Sequence, residues 1–467
     1  MRAITMTRIG RLAGALASAS VVALSTACGI GGGDGDPNTI DYWLWDSAQQ
    51  PAYQKCAEEF ETRNPGLTIE FTQYGWADYW SKLTAGFIAD TGPDVFTDHL
   101  SKYAQFVELD VLYPLDELAA TEDIQDSDYM AGLAELWKGQ DGHRYGAPKD
   151  WDTVGYFYNR TMTRQAGITD EQLRTMTWNP QDGGTFEKII AHLSVDANGI
   201  RGDEPGFDPN NVKTYGLAGS DSGFGGFGQT QWSPYTGSIG WQYTNQNPWG
   251  DQFNFDDPRF QRTVDWYFGL AEKGYMAPYS VAGNPSAAFG GDKQLSSGTA
   301  AMALNGDWMI STYTTLTDAD GNAMDVAVAP TPIGPTGQRA SMFNGLADSV
   351  SKQAENPEAA AKWVAFLAGD ECQRIVGESA VVFPARPAGT AAALAAHAAA
   401  GFDVSAFTDH TKDGTTFLFP VTYNAADITA YLRPALDSIY LGEHDASVLT
   451  ATNGQINSLL ELTTSSK

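Results

Sequence analysis

The feature that most constrains the fold is an alternation of strand and helix patterns in the first hundred residues. Apolar strand patterns occupy Ile40–Trp45, Leu67–Phe71 and Asp94–Thr97, and patterns with helical spacing fill residues 51–63 and 78–89 between them. This alternation predicts a mostly parallel sheet covered by helices. Ligands of such sheets bind beyond the carboxyl ends of the strands.

Aromatic and polar side chains collect where these predicted strands end. They are Trp45, Asp46, Tyr74, Trp76, Asp98 and His99. A single tryptophan is more often part of a core than a ligand contact. Several rings and carboxylates at neighbouring strand ends nevertheless indicate a ligand site.

A second informative stretch is residues 146–160, which read GAPKDWDTVGYFYNR. Gly146 and Pro148 break the preceding segment, and Val154–Tyr158 has the β-branched and aromatic character of a strand. Between them lie an amine, two carboxylates and an indole. We predict a crossover between two lobes, with polar groups placed to grip a ligand when a cleft closes. An ordinary loop and strand is the alternative.

Length and charge limit the possible classes of protein. A chain of 467 residues is too long for one ordinary core, so two lobes are expected. The formal net charge is −29. Nucleic acid is excluded as a partner because it requires a basic surface to neutralise phosphates. Anionic ligands are disfavoured more weakly, since a local pocket can override the net charge.

The amino terminus has the pattern of an export signal. Arg2, Arg8 and Arg11 precede a short apolar run, Leu12–Leu24, and we predict a signal peptide over residues 1–27. No later run reaches the roughly 20 apolar residues that a membrane span requires. Removing the signal peptide leaves 25 basic and 57 acidic residues, a net charge of −32.

The end of this signal, Leu24–Gly29, resembles the lipobox of bacterial lipoproteins, in which the cysteine after the cleaved bond receives a lipid. That cysteine would be Cys28. The family prefers Leu three residues before it, where this chain has Ser25. Residues 28–38, rich in Gly and Asp, would then form a flexible tether. Plain secretion with Cys28 as a free thiol is the alternative.

If Cys28 is lipidated, Cys56 and Cys372 remain as an even pair in an oxidising compartment. A bridge between them is the favoured prediction. Two separately buried thiols remain the alternative, and their spacing indicates neither a metal site nor a redox motif.

The second half of the chain is rich in glycine, aromatic and uncharged polar residues. In residues 222–245 the rings alternate with Gly, Ser, Gln and Asn, which favours ligands rich in hydroxyl groups over nucleic acid. A mobile surface loop is the alternative. Further on, a short apolar strand leads into Asn305, Gly306, Asp307 and Trp308. Closing helices are predicted at 427–441 and 446–462.

Four segments together carry a family resemblance. They are KCAEEFETRNPGLTIEF at 55–71, YGAPKDWDTVGYFYNR at 145–160, SSGTAAMALNGDW at 296–308, and NPEAAAKWVAFLAGDECQ with VVFPARP at 356–373 and 381–387. In this order they resemble the extracellular solute-binding proteins of ABC-type sugar importers, the maltose-binding-like group. The resemblance covers nearly the whole mature chain.

The resemblance implies an α/β fold of the two-lobed periplasmic-binding-protein type (type II), with a mixed sheet in each lobe and the ligand between them. Lobe one would hold residues 39–150 and 346–415, and lobe two residues 151–345 and 416–467. The implied protein is a monomer, anchored by lipid at the extracellular face of the membrane. It would bind a carbohydrate, an oligosaccharide or disaccharide, and deliver it to permease subunits by lobe closure, without cofactor, metal or catalytic residues.

A sugar presents C–H faces that stack on aromatic rings and hydroxyl edges that pair with planar polar groups. The predicted stacking residues are Trp45, Trp76, Trp151, Trp232 and Trp308. The predicted hydroxyl-binding residues are Asp46, Asp98, Lys149, Asp150, Asn305, Asp307, Asn344 and Arg386. A structural salt bridge would explain Arg386 as well.

Two other functions fit the same residue types. An exported glycoside hydrolase also needs Trp and Asp in a cleft, with a carboxyl pair flanking one bond. The chain lacks GxSxG and HExxH motifs, and its six histidines are dispersed. The other alternative is a surface carbohydrate-binding protein that works without a transporter.

Overall fold

The computed structural model describes residues 36–223, 225–282 and 290–465. The predicted signal peptide, Cys28 and the tether up to residue 35 lie outside the described residues. Within the described part of the chain, no helix is both long enough and apolar enough to cross a membrane.

The strands follow in chain order. They are β1 Thr39–Leu44, β2 Thr68–Gln73, β3 Val95–His99, β4 Ala147–Pro148, β5 Asp150–Trp151, β6 Val154–Asn159, β7 Val195–Asp196, β8 Val212–Leu217, β9 Ala300–Gly306, β10 Val326–Ala329, β11 Ser341–Phe343, β12 Leu346–Val350, β13 Phe383–Pro384 and β14 Thr416–Leu418.

The helices fall between and after these strands. They are α1 Gln50–Arg63, α2 Trp76–Ala89, α3 Leu100–Glu108, α4 Arg160–Gln165, α5 Asp170–Arg174, α6 Gly184–Leu193, α7 Ser233–Ser238, α8 Pro258–Glu272, α9 Tyr279–Ala282, α10 Gly291–Ser296, α11 Ile310–Thr314, α12 Pro357–Leu367, α13 Asp370–Glu378, α14 Pro387–Ala399, α15 Ser405–Lys412, α16 Ala425–Tyr440 and α17 Val448–Ser465.

The first sheet has the order β2-β1-β3-β12-β4. β1 pairs in parallel with β2 and β3, so the predicted β-α-β-α-β alternation is confirmed. β12 runs antiparallel to both β3 and β4, and the sheet is therefore mixed. Every residue of β3 and β12 is buried, which agrees with their central positions.

Helix α1 shows how the sequence pattern directs the packing. Pro51 lies in the first turn, where its missing N–H costs no helical hydrogen bond. The helix stops at Asn64, and Gly66 follows with a φ of 98°, a conformation that favours glycine. Its buried side chains share one face at helical spacing, and they are Ala52, Tyr53, Cys56, Ala57 and Phe60.

The second sheet has the order β10-β6-β9-β8-β7. Its interior strand β6 is the strand predicted from the apolar run after residue 153, and it pairs antiparallel with β9 and β10. β8 pairs in parallel with β9. Two mixed sheets flanked by helices form the two lobes of a periplasmic-binding-protein fold, as expected.

The chain passes from the first sheet to the second at residues 149–153, between β4 and β6. It passes back near residues 344–345, just before β12. The two passages are hydrogen bonded: the N–H of Asp152 donates to the carbonyl of Asn344 (2.9 Å), and the N–H of Lys149 donates to that of Leu346 (2.8 Å). The predicted crossover is thus confirmed as a link between the sheets.

A disulfide joins Cys56 of α1 to Cys372 of α13, with an S–S distance of 2.09 Å. Both residues are fully buried. The bridge closes a loop of 316 residues. A cross-link of this kind contributes about 2–4 kcal/mol to stability, mainly by constraining the unfolded chain.

Candidate functional site

A cleft of about 270 Å³ opens between the two lobes, beside the two passages of the chain. Its walls come from the ends of β1 and β3, from the crossover, from the loop before α7 and from the end of β9. The lining residues are Trp45, Asp46, Gln49, Trp76, His99, Asp150, Trp151, Asp152, Asp221, Gly225, Gly226, Gln229, Thr230, Gln231, Asp307, Trp308, Asn344, Leu346 and Val382.

Aromatic rings form the wall on the side of the first lobe. The ring of Trp45 packs edge-on against Trp76 (5.0 Å between centroids) and Tyr79 (5.1 Å). Trp76 also lies edge-on to His99, at 5.5 Å. Trp76 is 44% exposed, unusual for so large an apolar side chain. An exposed ring held by other rings at a cleft mouth is a rigid surface for stacking.

Trp308 supplies a ring from the second lobe. It follows β9, and its indole lies directly over Gly306, where an added Cβ would come within 1.7 Å of the ring. The side chain is half-buried and borders the cleft. Glycine at position 306 is therefore a steric requirement of this ring position.

Trp151 has a different environment from the other cleft tryptophans. Its ring stacks on Phe383 with centroids 4.9 Å apart, and its Nε1 donates to Oγ1 of Thr390 (2.9 Å). The side chain is 1% exposed, so only one edge reaches the cleft. Trp151 thus contributes mainly to the floor of the cleft.

Three buried carboxyl groups form the base of the cleft. Oδ1 of Asp150 accepts the N–H of Leu346 (2.9 Å), and Oδ1 of Asp152 accepts a hydrogen bond from Nε2 of Gln229 (2.5 Å). Oδ2 of Asp307 accepts the N–H of Thr153 (3.2 Å). The remaining oxygens Oδ2 of Asp150 and Oδ1 of Asp307 are buried and have no hydrogen-bond partner.

The shared environment of these carboxyls raises their pKa values. Burial raises the pKa of Asp150 to about 7, against the opposing effect of Lys149. Burial, and then the negative charge of Asp150, raise the pKa of Asp152 well above its usual value. Burial and the charge of Asp152 do the same to the pKa of Asp307. These groups therefore hold protons more readily than ordinary aspartates do.

A polar bridge between the lobes lies beside the carboxyls. Nδ2 of Asn344 lies 3.1 Å from Nε2 of His99 and 3.5 Å from Oε1 of Gln229. Burial lowers the pKa of His99 to about 3, so the ring is neutral. Because Gln229 comes from the second lobe and His99 from the first, this bridge spans the cleft.

The loop before α7 adds a fourth carboxylate to the lining of the cleft. Asp221 accepts hydrogen bonds at Oδ1 from the N–H of Gly223 (2.8 Å) and from Nε2 of Gln231 (2.9 Å). Gly225 and Gly226 follow, and at both positions a side chain would meet almost no other atoms. This open, glycine-lined section has room for a ligand to approach the backbone.

Eight of the thirteen predicted contact residues line the cleft. They are Trp45, Asp46, Trp76, Asp150, Trp151, Asp307, Trp308 and Asn344. Asp46 is also engaged locally, because its carboxylate accepts the N–H of Ala48 (2.8 Å) and Nε2 of Gln49 (2.8 Å) ahead of α1. Contact of these residues with a ligand remains a prediction.

Asp98 and Lys149 do not line the cleft. The carboxylate of Asp98 is fully buried and accepts the N–H of His99 (2.8 Å). Nζ of Lys149 donates to the hydroxyls of Tyr42 (2.6 Å) and Thr97 (2.7 Å), and it lies 3.4 Å from Oδ1 of Asp348. Both side chains point into the lobe beneath the site, because alternate residues of an extended segment face opposite ways.

Trp232 and Asn305 are also outside the cleft. Trp232 is fully buried against Trp241 and Phe260, and its Nε1 donates to the Ser222 carbonyl (3.1 Å). It is a core residue of lobe two. Asn305 lies within β9 and accepts the N–H of Gly306 through its own side chain (2.9 Å).

Arg386 lies away from the cleft, at the start of α14. Its guanidinium donates to the carbonyl of Ala368 (2.6 Å) and pairs with Asp370 (3.1 Å) and Asp128 (3.4 Å). It also lies over the ring of Tyr129, 5.1 Å from the centroid. A structural salt bridge, the alternative considered for Arg386 in the sequence analysis, therefore describes this arginine better than a ligand contact does.

Several lining residues were not among the predicted contacts. A sequence signal existed for two of them, because His99 follows a predicted strand and Asp152 is one of the two carboxylates of the predicted crossover. The loop before α7 contributes Asp221, Gln229 and Gln231. A loop has no periodic pattern, so its sequence does not indicate which side chains face the cleft. Leu346 and Val382 reach the cleft only through the packing of distant segments.

Two α/β lobes around an aromatic and acidic cleft define the class of two-lobed solute-binding proteins. A family model described as bacterial extracellular solute-binding protein matches residues 55–403, about three quarters of the chain. The protein belongs to this family.

Curated relatives match part of the chain. A lactose-binding protein of Rhizobium radiobacter is 27% identical over 192 residues, which are 39% of this chain and 43% of that protein. A binding protein of Brucella abortus is 24% identical over 159 residues, 33% of this chain and 36% of its own length. The chain thus spans less than half the length of these relatives.

Solved structures match over a larger part of the chain. UspC of M. tuberculosis has a TM-score of 0.67 at 20% identity, covering 90% of this chain and 100% of that one. GacH of Streptomyces glaucescens, solved unliganded and with acarbose, has a TM-score of 0.70 at 20% identity, covering 90% and 98%. Lmo0181 of Listeria monocytogenes, solved with cycloalternan, has a TM-score of 0.71 at 19% identity, covering 91% and 99%. At this identity the similarity establishes the fold.

Proposed function

We propose that this protein binds a carbohydrate outside the cell and delivers it to the permease subunits of an ABC importer. The observation that carries the proposal is the composition of the cleft, where aromatic rings and planar polar groups come from both lobes. A saccharide needs both, because it has apolar faces and hydroxyl edges. The lactose-binding relative and the saccharide complexes of the structural neighbours support this choice.

Within this proposal each group of side chains has a distinct role. Trp45 and Trp76 of lobe one and Trp308 of lobe two stack on sugar faces. Asp150 and Asp307 receive hydroxyl hydrogens at their unpartnered oxygens, which removes the cost of leaving buried acceptors unpaired. The carboxyl and amide groups beside them pair with further hydroxyls.

Closure requires lobes that can move about the crossing segments. The first sheet lies within residues 39–148 and 346–350, and the second within 154–329, as the proposed lobes require. The packing of helix α15 favours moving the boundary between lobe one and lobe two, which was predicted after residue 415. Phe407 packs on Phe157 of β6 (5.7 Å between ring centroids), so we assign residues from about 400 onward to lobe two.

Ligand binding would favour the closed form, because contacts to both lobes exist only when the cleft is shut. Some contacts already join the lobes in this structure. Nε1 of Trp249 donates to the Lys138 carbonyl (3.2 Å), and the hydroxyl of Tyr423 donates to Oε1 of Gln140 (3.0 Å). The permease would recognise the surface that closure creates.

The experiment is a thermal-shift screen across mono-, di- and oligosaccharides. A sugar present at 100 times its Kd should raise the unfolding free energy by about 2.7 kcal/mol. Trp76→Ala, which removes an exposed ring of the cleft, should lose most of that shift, whereas Leu109→Ala, at an exposed leucine outside the cleft, should keep it. Sugars that bind should be recovered unchanged, because we propose binding without hydrolysis. Absence of any shift across the saccharides would contradict the function, and cleavage of a bound sugar would favour the hydrolase.

We further propose that lipid on Cys28 holds the protein at the outer face of the membrane. Support comes from the sequence around that cysteine and from the extracellular family. Cys28→Ser should move the protein from the membrane fraction to the medium, and Asp123→Asn, at an exposed surface position, serves as the control that keeps the anchor. Retention of Cys28→Ser in the membrane would refute the lipid anchor.

A further inference from the structure

The cleft has an unusual balance of charge for a site that binds a neutral sugar. Five aspartates line it, and among its described lining residues there is no lysine or arginine. The ring of His99 is neutral, since burial lowers its pKa to about 3. The lining therefore supplies carboxyl groups and acceptor oxygens, and none of its described residues contributes a positive charge.

The nearest positively charged side chain, Lys149, lies beneath the cleft and is not one of its lining residues. The ammonium of Lys149 is 2% exposed and is held by Tyr42, Thr97 and Asp348 beneath the site. Its positive charge opposes the rise in the pKa of Asp150, but the ammonium itself is not part of the cleft lining. The charges of Asp46, Lys149 and Asp348 act on the basal carboxyls. His99 and Asp221 line the same cleft, and Lys102 acts on His99.

Two acceptor atoms in the base of the cleft define where a positive group would sit. Oδ2 of Asp150 and Oδ1 of Asp307 are buried and unpartnered, and both residues line the cleft. A buried acceptor without a partner destabilises the protein, and the cost is larger when the acceptor is charged. An N–H donor that also carries charge would satisfy these atoms better than a neutral hydroxyl.

The aromatic walls are suited to the same kind of ligand. Trp45, Trp76 and Trp308 border the acidic base, and the faces of aromatic rings attract cations that lie within about 6 Å. A bare metal ion is a poorer occupant. Among the described residues, no group of three or more His, Cys, Asp or Glu side chains is arranged to hold a metal.

We infer that the solute is a basic saccharide, whose ammonium group sits against Asp150, Asp152 and Asp307 while its rings stack on the cleft tryptophans. The inference rests on the proposed carbohydrate-binding function and narrows it to sugars that carry an amine. A neutral sugar brings no positive charge to these carboxyl groups, and an anionic sugar is repelled by them when they are ionised.

The protonation of the cleft agrees with this assignment. Burial, and after it the charge of neighbouring carboxylates, raises the pKa values of Asp150, Asp152 and Asp307, so the empty cleft retains protons near neutral pH. An ammonium bound beside them lowers these pKa values, and protons must leave. A neutral sugar has no such effect.

The test compares matched saccharides that differ in one substituent. Glucose, galactose, mannose and cellobiose are each measured by calorimetry beside their 2-amino-2-deoxy and N-acetylated counterparts. We expect an amine form to bind at least tenfold more tightly than both of its neutral counterparts. If neutral sugars bind and no amine form gains, the inference is wrong and the proposed function stands. If no sugar in these sets or in the oligosaccharide screen binds, the proposed function fails and the inference fails with it.

Two further measurements separate charge from shape. Asp152→Asn and Asp307→Asn, made singly, retain side-chain size and should each reduce the preference for the amine form at least tenfold. Asp123→Asn, exposed and outside the cleft, should leave that preference unchanged. Calorimetry in two buffers of different protonation enthalpy, at a pH where the amine is already charged, should detect proton release on binding. Unchanged preference in both variants, or proton uptake, would overturn the assignment.

Discussion

Replacing Lys149 by Met is expected to lower the free energy of unfolding by about 3–5 kcal/mol. The lysine ammonium and the carboxylate of Asp348 are buried together, at 2% and 1% side-chain exposure. Met fills much of the same space but removes the charge. Asp348 would then be left buried without its cation, and the hydroxyls of Tyr42 and Thr97 would lose their donor. Chemical denaturation of the ligand-free protein measures the loss.

The double variant Lys149→Met with Asp348→Asn identifies the cause. Asn is uncharged yet can still accept the hydrogen bonds that Tyr42 and Thr97 now donate to Asp348. We expect it to recover at least half of the lost stability, because most of the cost comes from the unpaired charge.

Lys352→Met is the matched control at the surface. Lys352 pairs with Asp110, whose side chain is 85% exposed, and a pair of this kind contributes about 0–1 kcal/mol. The structural role of Lys149 would be contradicted if Lys149→Met were as stable as the unmodified protein. Loss of sugar affinity with unchanged stability would mean that Lys149 contacts the ligand.

Trp308→Ala is expected to weaken sugar binding at least tenfold, equivalent to about 1.4 kcal/mol. The ring borders the cleft from lobe two, is half-buried and is supported by Gly306. Because part of the ring faces the cleft, its removal should cost the ligand-free fold much less than removal of a core tryptophan does. Affinity by calorimetry and unfolding free energy without sugar, both on this variant, test the two parts of the expectation.

Trp232→Ala is the matched core variant in the same lobe. Its ring is fully buried, so the expected cost is about 3–5 kcal/mol of stability. The protein that remains folded should bind sugar with nearly normal affinity. If Trp308→Ala instead loses several kcal/mol of stability while its folded fraction binds normally, Trp308 is a core residue and its proposed role is wrong.

Much of the fold could be predicted from the sequence, because the signals are local. The helix over residues 50–63 has a proline at its start, an Asn-Pro-Gly stop and one buried face, all of which can be read from the chain. The crossover at 146–160 and the helix that begins after Asn356 are marked in the same way. These features depend on residues within a few turns of one another.

The contact residues could be predicted only in part. Trp45, Asp46 and Trp76 could be predicted as contact residues because they follow predicted strands, and the end of a strand is a local feature of the sequence. The prediction was less successful in extended segments, where the side chains of neighbouring residues face opposite sides. Lys149 and Asp150 are neighbours, yet the side chain of Lys149 lies beneath the cleft and that of Asp150 lines it. Which of the two faces the ligand depends on the pairing of 149–152 with residues near 345.

The sequence by itself thus determined the strand-helix order, the crossover between lobes and the chemical character of the site. Tertiary structure decided which of the thirteen tryptophans border the cleft and which belong to the core. It also decided that Asp150, Asp152 and Asp307 meet in one acidic base. The physical reason is that local patterns follow from backbone geometry and hydrophobic periodicity, whereas a cleft is formed by segments more than 150 residues apart. Their relative register comes from packing between sheets, which no single stretch of sequence contains.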